Sequence, residues 1–295
     1  MARVSNVFTP RVSPQRWGRL FAPLLISVAL LLSACTHSNG PNQSSDAASA
    51  HWINAVDLSH RSQVDQARDQ YRHPRQTLAF FELQPSDRVV EIWPGGGWYT
   101  QILAPLLKRD GQLIAAHWPH DSGVGFFRTM RQRFDQTFLA QPQRYGNIRI
   151  TQLEPPSHTQ LAADNSVDKV FTFRNVHNWM RNQQQQTVFN AAFAALKPGG
   201  ILGVVEHRAP EDFSLQQMIN SGYVSEAYVK QLAASAGFEF VAASEVNANP
   251  ADDKQHPRGV WTLPPSLRLG ELHKARYLAI GESDRMTLKF RKPLN

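Results

Sequence analysis

The sequence predicts an α/β protein with a doubly wound, mostly parallel sheet, and three observations lead to this class. Short apolar runs alternate with helical segments, the first run ends in a glycine turn, and the order of run, turn and helix then recurs along the chain. Parallel strands must be joined by crossovers, and the crossovers are usually helices. The alternation therefore indicates a sheet covered by helices on both faces.

Seven apolar runs are predicted to be strands: residues 88–93, 112–118, 147–153, 168–173, 201–207, 238–246 and 284–290. The segments between them have helical patterns. The predicted helices are 99–108, 126–139, 182–196 and 225–236, after two lead-in helices within 63–81 that Pro74 separates. Residues 197–200, KPGG, are predicted to be a turn between a helix and the next strand.

A long connection follows the sixth strand, at residues 247–282, and it is rich in proline. Loops of this length are uncommon in a compact domain unless they have a function or pack over something. Trp261 lies in this segment and is a candidate lid residue over the ligand-binding edge of the sheet.

The beginning of the chain predicts export. Four arginines and no acid precede an apolar run at 20–33, which is too short to span a bilayer and is typical of a secretory signal. The run ends in Leu-Ser-Ala-Cys35, which resembles the bacterial lipobox, where cleavage precedes the cysteine and the thiol is acylated. We therefore predict a signal peptide over 1–34, a flexible polar tether over 35–50 and a folded domain over 51–295.

Cys35 is the only cysteine, so an intramolecular disulfide and a zinc site with several thiolates are excluded. Thr36 stands where an acid would favour inner-membrane retention, so the lipobox resemblance favours the outer membrane, facing the periplasm. The formal charge is +7, from 31 basic and 24 acidic residues, but four basic residues precede Cys35 and leave 27 against 24. The remaining charges form no basic run, so we expect no nucleic-acid partner.

The first strand ends in a glycine turn, Glu91-Ile-Trp93-Pro94-Gly95-Gly96-Gly97. Glycines allow the chain to turn sharply and let backbone N–H groups approach a ligand. In open α/β sheets, ligands bind beyond the carboxyl ends of the strands. By itself such a turn is equally compatible with a tight strand-to-helix connection that binds nothing.

Two further motifs, DKVFTF-RNVHNW at 168–179 and ALKPGGILGVVEH at 195–207, follow the turn in order. With them the chain resembles the class I S-adenosylmethionine-dependent methyltransferases, and most of all a group of predicted bacterial methyltransferases with an EIWPGGGWYT-like turn. The resemblance covers about residues 80–246 and the final strand. It implies a seven-stranded sheet with an antiparallel last strand, S-adenosylmethionine as cofactor, and methyl transfer to a small or envelope-associated molecule.

The family motif is acid-x-Gly-x-Gly-x-Gly. Glu91, Gly95 and Gly97 match it, whereas Trp93 stands where the first glycine belongs. An indole at this position either closes part of the cofactor groove or lies against the ligand as a wall. With Pro94 and Gly96, these residues are the predicted cofactor turn.

The resemblance also implies roles for residues after the other strands. His117, with Asp121, stands where the family has an acid for the ribose hydroxyls, and Glu154 lies near the position of an adenine contact. Asn175 and His177 follow the fourth strand, where the family places residues that face the cofactor and its methyl group. His177 is a candidate general base, since imidazole accepts protons near neutral pH, or else it shapes the loop by a backbone hydrogen bond.

Four tryptophans, Trp93, Trp98, Trp118 and Trp179, fall just past predicted strand ends. They either bound a pocket for an aromatic or lipid-like substrate, with cation–π contact to a sulfonium, or are ordinary core residues. His117, His120 and Asp121 have the chemistry of metal ligands, but two loop histidines at this spacing more often bind none, so no metal is expected. A G-x-S-x-G turn and a P-loop lysine are both absent from the sequence, so hydrolase and NTPase chemistry lack their motifs.

The sequence thus favours a methyltransferase acting on a small or envelope-associated molecule. An exported enzyme, however, meets a compartment where S-adenosylmethionine is not expected. The alternative is a non-catalytic, ligand-binding lipoprotein of the cell envelope that keeps the fold, with Trp93 and the missing ribose acid as signs of lost catalysis. A third possibility is that export fails and the domain faces the cytoplasm.

Overall fold

The structure is a computed structural model and describes residues 52–294. The predicted signal peptide, the tether and the acylation site at Cys35 lie outside the described residues, and they remain predictions.

The domain is built on one seven-stranded sheet in the order β3-β2-β1-β4-β5-β7-β6. The strands are β1 Arg88–Ile92, β2 Gln112–His117, β3 Arg149–Gln152, β4 Val167–Phe173, β5 Leu196–His207, β6 Glu239–Ser244 and β7 Arg285–Arg291. The first five strands pair in parallel, and β7 runs antiparallel between β5 and β6. The predicted fold class, including the antiparallel last strand, is confirmed.

Helices connect the strands and cover both faces. They are α1 Gln63–Gln66, α2 Asp69–Arg72, α3 Pro74–Phe80, α4 Thr100–Leu107, α5 Gly125–Phe134, α6 Pro142–Tyr145, α7 Val176–Met180, α8 Gln185–Ala195, α9 Leu215–Ser221, α10 Glu226–Ala236 and α11 Lys274–Ile280. Pro74 begins α3, where a missing N–H costs nothing. After α5 the chain continues as a π-helical turn, Asp135–Leu139.

The central strands are apolar on both sides because both faces are covered. In β1, Val90 and Ile92 belong to one hydrophobic cluster, whereas Val89 belongs to a second one on the other side. At the carboxyl end of β1, Ile92 pairs with Ala116 of β2 and Thr172 of β4. The ends of these three strands therefore lie at one edge of the sheet, which is where the site is built.

One local prediction is wrong. Residues 197–200, predicted as a turn before the strand, lie within β5, whose first residue Leu196 already pairs with Val167. The register shifts between Val167 and Lys169, and Gly199 has a φ of 80°. Pro198, Gly199 and Gly200 thus form a bulge within β5, because the pairing with β4 is present before them and resumes at Ile201. Helices α6, α7, α9 and α11 were not predicted.

The long segment 247–282 folds over the sheet edge and contains a 3-10 turn, Gly259–Thr262, before α11. The amide of Asn247 donates hydrogen bonds to Thr77 and Thr287, both at 2.9 Å, which fixes the start of the segment to the domain. Val260 is buried in the larger hydrophobic cluster. Within 52–294, no helix has the length and hydropathy needed to cross a bilayer.

Candidate active site

The turn after β1 keeps a conformation that suits glycine, although its first residue is a tryptophan. Trp93 has a φ of 44°, Gly95 of 59° and Gly97 of 78°. A bulky residue with a left-handed backbone costs about 1–2 kcal/mol. Trp93 therefore has the backbone conformation of a glycine turn, and its side-chain contacts must offset the resulting backbone strain.

The Trp93 indole provides those contacts on the side of β2 and β3. Its Nε1 donates to the carbonyl of Leu153 at 2.9 Å, and its ring lies 5.2 Å from Trp118, 5.7 Å from Phe127 and 5.9 Å from Trp179 between centroids. The indole is 8% exposed. It fills the space beside the turn with packed aromatic rings.

The glycines of the turn have different roles. A Cβ on Gly95 would meet no atom within 4 Å, and Gly95 lines a cavity together with Gly96. A Cβ on Gly97 would lie 2.2 Å from the ring of Phe138. Gly95 thus keeps space for a ligand, whereas Gly97 is required by packing.

Glu91 lies beneath the turn and is absent from the cavity lining. It is buried, and the Thr100 hydroxyl donates to its Oε2 at 2.6 Å. Burial without a cationic partner raises the pKa of Glu91 to about 8, although the Thr100 bond lowers it. The carboxyl is therefore largely protonated at neutral pH.

His117 and Glu154 are not brought to the cavity. His117 is fully buried, accepts a bond from the Trp118 amide on Nδ1 at 2.8 Å, and has its pKa lowered to about 4 by burial. Glu154 accepts a bond from Ser122 at 2.8 Å and lines a separate surface groove with Asp121. The pair His117 and Asp121 is thus not presented to a ligand as the sequence predicts.

His120 pairs with Asp135 at 2.8 Å. Among residues 52–294, the groups able to hold a metal lie elsewhere: His177, Glu206 and His207, and Asp252, Asp253 and His256.

A cavity of about 440 Å³ opens at the carboxyl ends of β1 and β4. The connection after β1 contributes Trp93, Pro94, Gly95, Gly96 and Trp98 to its lining. The other walls come from the loop after β4, the lead-in segment and the segment 247–282, with Arg174, Asn175, His177, Arg68, Arg72 and Trp261 among them.

Asn175 connects two walls of the cavity. Its Nδ2 donates to the carbonyl of Ile92 at 2.9 Å and to the Thr172 hydroxyl at 3.2 Å. The side chain therefore holds the β4 loop against the β1 turn, and its position also lines the cavity.

His177, predicted as a general base, lines the cavity and is held by Glu206 at the end of β5. Its Nδ1 lies 3.0 Å from Oε1 of Glu206, and its backbone N–H donates to Oε2 at 3.3 Å. A carboxylate oxygen can only accept a hydrogen bond. In its neutral form the His177 ring therefore carries its proton on Nδ1, which leaves Nε2 as an acceptor. This is the arrangement of an oriented base.

His207 follows Glu206 and lines the same cavity. Its amide donates to Glu206 at 2.8 Å, and its Nδ1 contacts the Ser283 hydroxyl. The pKa of His207 lies well below its usual range, mainly because the ring is buried and to a smaller extent because His177 and Arg285 are nearby. This ring is therefore neutral. Both residues stand in the motif ILGVVEH, but sequence reasoning gave neither of them a role.

Two of the four predicted tryptophans line the cavity and two do not. Trp93 and Trp98 are in the lining, as is Trp261 from the long segment. Trp118 and Trp179 are buried in the hydrophobic core. The aromatic wall is thus smaller than the sequence suggests.

Arginines are the part of the site that the sequence analysis missed. Arg68 and Arg72 come from the lead-in helices and Arg174 from the end of β4, and all three line the cavity. The one available signal was the position of Arg174, directly before Asn175 at a strand end.

The sequence matches no protein-family model and no curated protein. Solved structures share the fold. A protein of Galdieria sulphuraria described as a sarcosine dimethylglycine methyltransferase has a TM-score of 0.52 and 13% identity, covering 85% of this chain and 99% of its own. The [4+2]-cyclase SpnF also has a TM-score of 0.52, with 16% identity over 78% of this chain and 82% of its own. A SAM-dependent methyltransferase from Aquifex aeolicus has a TM-score of 0.49 and 18% identity, over 65% and 93%.

At these identities the comparisons establish the architecture. The chain has the Rossmann-like fold of the class I methyltransferases, with its strand order and antiparallel β7. One of the similar structures is named for a cyclisation, so the reaction has to be argued from the site.

Proposed function

We propose that the protein is an S-adenosylmethionine-dependent methyltransferase acting on a small molecule. The observation that carries this proposal is the position of the cavity. It opens directly on Pro94, Gly95 and Gly96 at the end of β1, and Asn175 and His177 face it from the end of β4. This edge of an open α/β sheet is where ligands bind.

The residues present fit the amino-acid half of the cofactor. A Cβ on Gly95 would meet no atom within 4 Å, so there is open space at the turn where Gly95, Gly96 and Asn175 line the cavity. Pro94, Gly95, Gly96 and Asn175 would hold this half. When bound, S-adenosylmethionine supplies an electrophilic methyl group on a sulfonium.

The chain's own chemistry toward the acceptor comes from His177. With Glu206 fixing Nδ1–H, Nε2 accepts a proton from an oxygen or nitrogen nucleophile as that atom is methylated. Transfer at a sulfonium depends mainly on positioning, and the buried walls of the cavity supply it by excluding water and fixing the acceptor.

A specific observation favours a second candidate, a non-catalytic ligand-binding protein. The Trp93 indole fills the side of the turn next to β2 and β3, and His117 is buried instead of facing the cavity. The adenosine half of the cofactor thus lacks its predicted partners. In this candidate the fold holds only a small ligand in the arginine-lined part of the cavity.

For location we propose the cell envelope, with the protein anchored by acyl chains on Cys35 and facing the periplasm. The support is the sequence of the export segment and the lipobox. An acceptor in or near the envelope follows from that location.

Calorimetry of the purified full chain with S-adenosylmethionine and S-adenosylhomocysteine tests the proposal. We expect saturable binding with a Kd below ~1 mM. The variant Gly95→Leu should abolish it, because the side chain enters the cavity. Gly270→Leu is the matched control, since Gly270 has the same φ of 59° and open space around its Cβ, but lies outside the lining. No heat with either ligand would favour the binding protein.

A further inference from the structure

Several arginines beside the cavity share one buried carboxylate. Arg68 Nε and Arg72 Nε donate to the two oxygens of Glu282 at 2.6 and 2.9 Å, and Arg285 contacts the same group. Burial alone would raise the pKa of Glu282, but Arg285 and Arg72 hold it well below its usual range. One negative charge therefore faces three positive ones.

Arg72 is the member of this group with unused donors. Its side chain is 2% exposed, yet its Nη1 and Nη2 have no hydrogen-bond partner among residues 52–294, and the residue lines the cavity. Burial, followed by the charge of Arg174, lowers the pKa of Arg72 well below its usual range. Buried donors of this kind are costly unless a ligand satisfies them.

The orientation of Arg72 is fixed by Trp98. Two guanidinium groups contact the indole, with Arg72 Cζ at 4.5 Å and Arg61 Cζ at 4.7 Å from its ring centroid. Arg61 is held in turn by a bidentate pair with Asp69 at 2.8 Å. The Nε bond to Glu282 and the ring contact hold the guanidinium in place, while its two terminal nitrogens keep their donors unused beside the cavity.

Arg174 adds another positive group. Its guanidinium has no hydrogen-bond or ion-pair partner within the described part of the chain, and it lines the cavity. Burial lowers its pKa to about 10, so it is a cation at neutral pH. The lining holds one acid, Asp65, whose Oδ2 already accepts bonds from Ser62 and Gln101.

A metal ion does not suit this cavity. The candidate ligands His177, Glu206 and His207 lie close together, but the two Glu206 oxygens already accept three N–H bonds from the histidines. The nearby guanidinium groups also repel a cation. An oxyanion satisfies the same charges and donors, because a planar fork matches carboxylate and phosphate oxygens.

We propose that Arg72, Arg68 and Arg174 bind the carboxylate or phosphate group of the small-molecule substrate. His177 lines the same cavity, with its Nδ1 held by Glu206, so an anionic substrate bound there would bring a neighbouring nucleophile close to this imidazole. The proposal rests on the proposed function for its reaction, since it names the class of methyl acceptor. Binding of the anion does not depend on the reaction.

The test is thermal unfolding and calorimetry of the full chain with inorganic phosphate, sulfate and succinate at constant ionic strength, with chloride as the reference ion. At least one oxyanion should raise Tm saturably. Arg174→Gln, which breaks no hydrogen bond or ion pair within residues 52–294, and Arg72→Lys, which keeps the charge but loses the fork, should each weaken binding at least ~10-fold. Arg109→Gln, at a fully solvated position, should leave it unchanged. No saturable shift, or equal losses in Arg109→Gln, would overturn the proposal.

S-adenosylhomocysteine separates substrate from cofactor as the source of the anion. If the oxyanion binds equally well to protein saturated with S-adenosylhomocysteine, the arginines serve the acceptor, as proposed. If S-adenosylhomocysteine displaces the oxyanion and itself binds more weakly to Arg174→Gln, the arginines hold the cofactor's carboxylate and the acceptor proposal is wrong. Oxyanion binding that depends on the arginines, with no S-adenosylhomocysteine binding at all, would support the anion site while refuting methyl transfer.

Discussion

At the residue scale, the choice between the two candidate functions depends most on Trp93. Its backbone has a left-handed conformation that a glycine would adopt freely, whereas its side chain is anchored to Leu153 and packed among aromatic rings. The turn therefore has the backbone shape of a glycine turn, and the indole fills the space beside it.

We predict that Trp93→Gly binds S-adenosylmethionine at least ~10-fold more tightly than the wild type, a gain of about 1.4 kcal/mol. Removing the indole opens the cavity toward β2 and β3, and glycine relieves the positive φ. The free energy of unfolding should fall by ~2–4 kcal/mol, because the lost burial outweighs the relieved strain. Calorimetry and urea unfolding measure the two effects.

Trp179→Ala is the control for this prediction. It also removes a fully buried indole from the same cluster, but from a position outside the cavity lining. It should destabilise the protein by a similar amount without tightening cofactor binding. An unchanged affinity in Trp93→Gly would mean that the indole does not obstruct the cofactor.

At the scale of elements, the site depends on how β1 is joined to its neighbours. Asn175 ties the β4 loop to the end of β1, and Glu91 accepts a bond from Thr100 of α4. The second contact buries an ionisable group with no cation beside it. The strand and helix on either side of the turn are thus coupled through a carboxyl that favours its neutral form.

We predict that Glu91→Gln removes a fall in stability with rising pH. The pKa of Glu91 is about 8 in the folded protein, against 4.5 as its ordinary value. Between these values the unfolded chain releases a proton that the folded chain keeps, so wild-type stability declines through this range. At pH 8 the variant should be more stable by roughly 2–4 kcal/mol, and near pH 4 the difference should vanish.

Urea unfolding at pH 4, 6 and 8 measures this difference. Glu271→Gln, at an exposed position, should run parallel to the wild type across the range. Parallel curves for Glu91→Gln as well would show that Glu91 is ionised in the folded protein, and would contradict its assignment as a neutral buried carboxyl.

The elements differ in how far sequence alone could predict them. The buried strands were predictable, since an apolar run bounded by turn residues is a local signal. Residues 197–200 were misassigned because glycine and proline signal a turn locally, whereas the pairing of Leu196 with Val167 is decided across the sheet. Helix α7 has only five residues and carries no clear period of its own.

The site was predictable only where it follows strand ends. The β1 turn and the residues after β4 meet at the cavity because parallel strands end at a common edge. Arg72 and Glu282 are more than 200 residues apart in sequence, and no motif links them. The family resemblance implied a ribose-binding role for His117, but its packing against Phe134 is a tertiary contact that the sequence does not show.

At the scale of the whole molecule, location and reaction constrain each other. A lipid-anchored domain outside the inner membrane would need S-adenosylmethionine where it is not expected, whereas a protein that only binds an anionic ligand would not need this cofactor. The cavity serves either role, since its arginines do not depend on the cofactor. Establishing where the chain resides therefore changes which of the two functions is favoured.

We predict that the chain is acylated at Cys35 and held at the membrane by its acyl chains. In a bacterium expressing the full chain, an alkyne-labelled fatty acid should be incorporated into the wild type and be lost in Cys35→Ser, while Ser44→Ala, a tether substitution, should keep the label. Each buried methylene contributes about 0.8 kcal/mol, so more than one acyl chain anchors a protein firmly without a spanning helix. Equal labelling of Cys35→Ser would refute lipidation at this residue. A wild type recovered unlabelled in the cytoplasm would show that the chain is not exported, and would place the domain where S-adenosylmethionine is supplied.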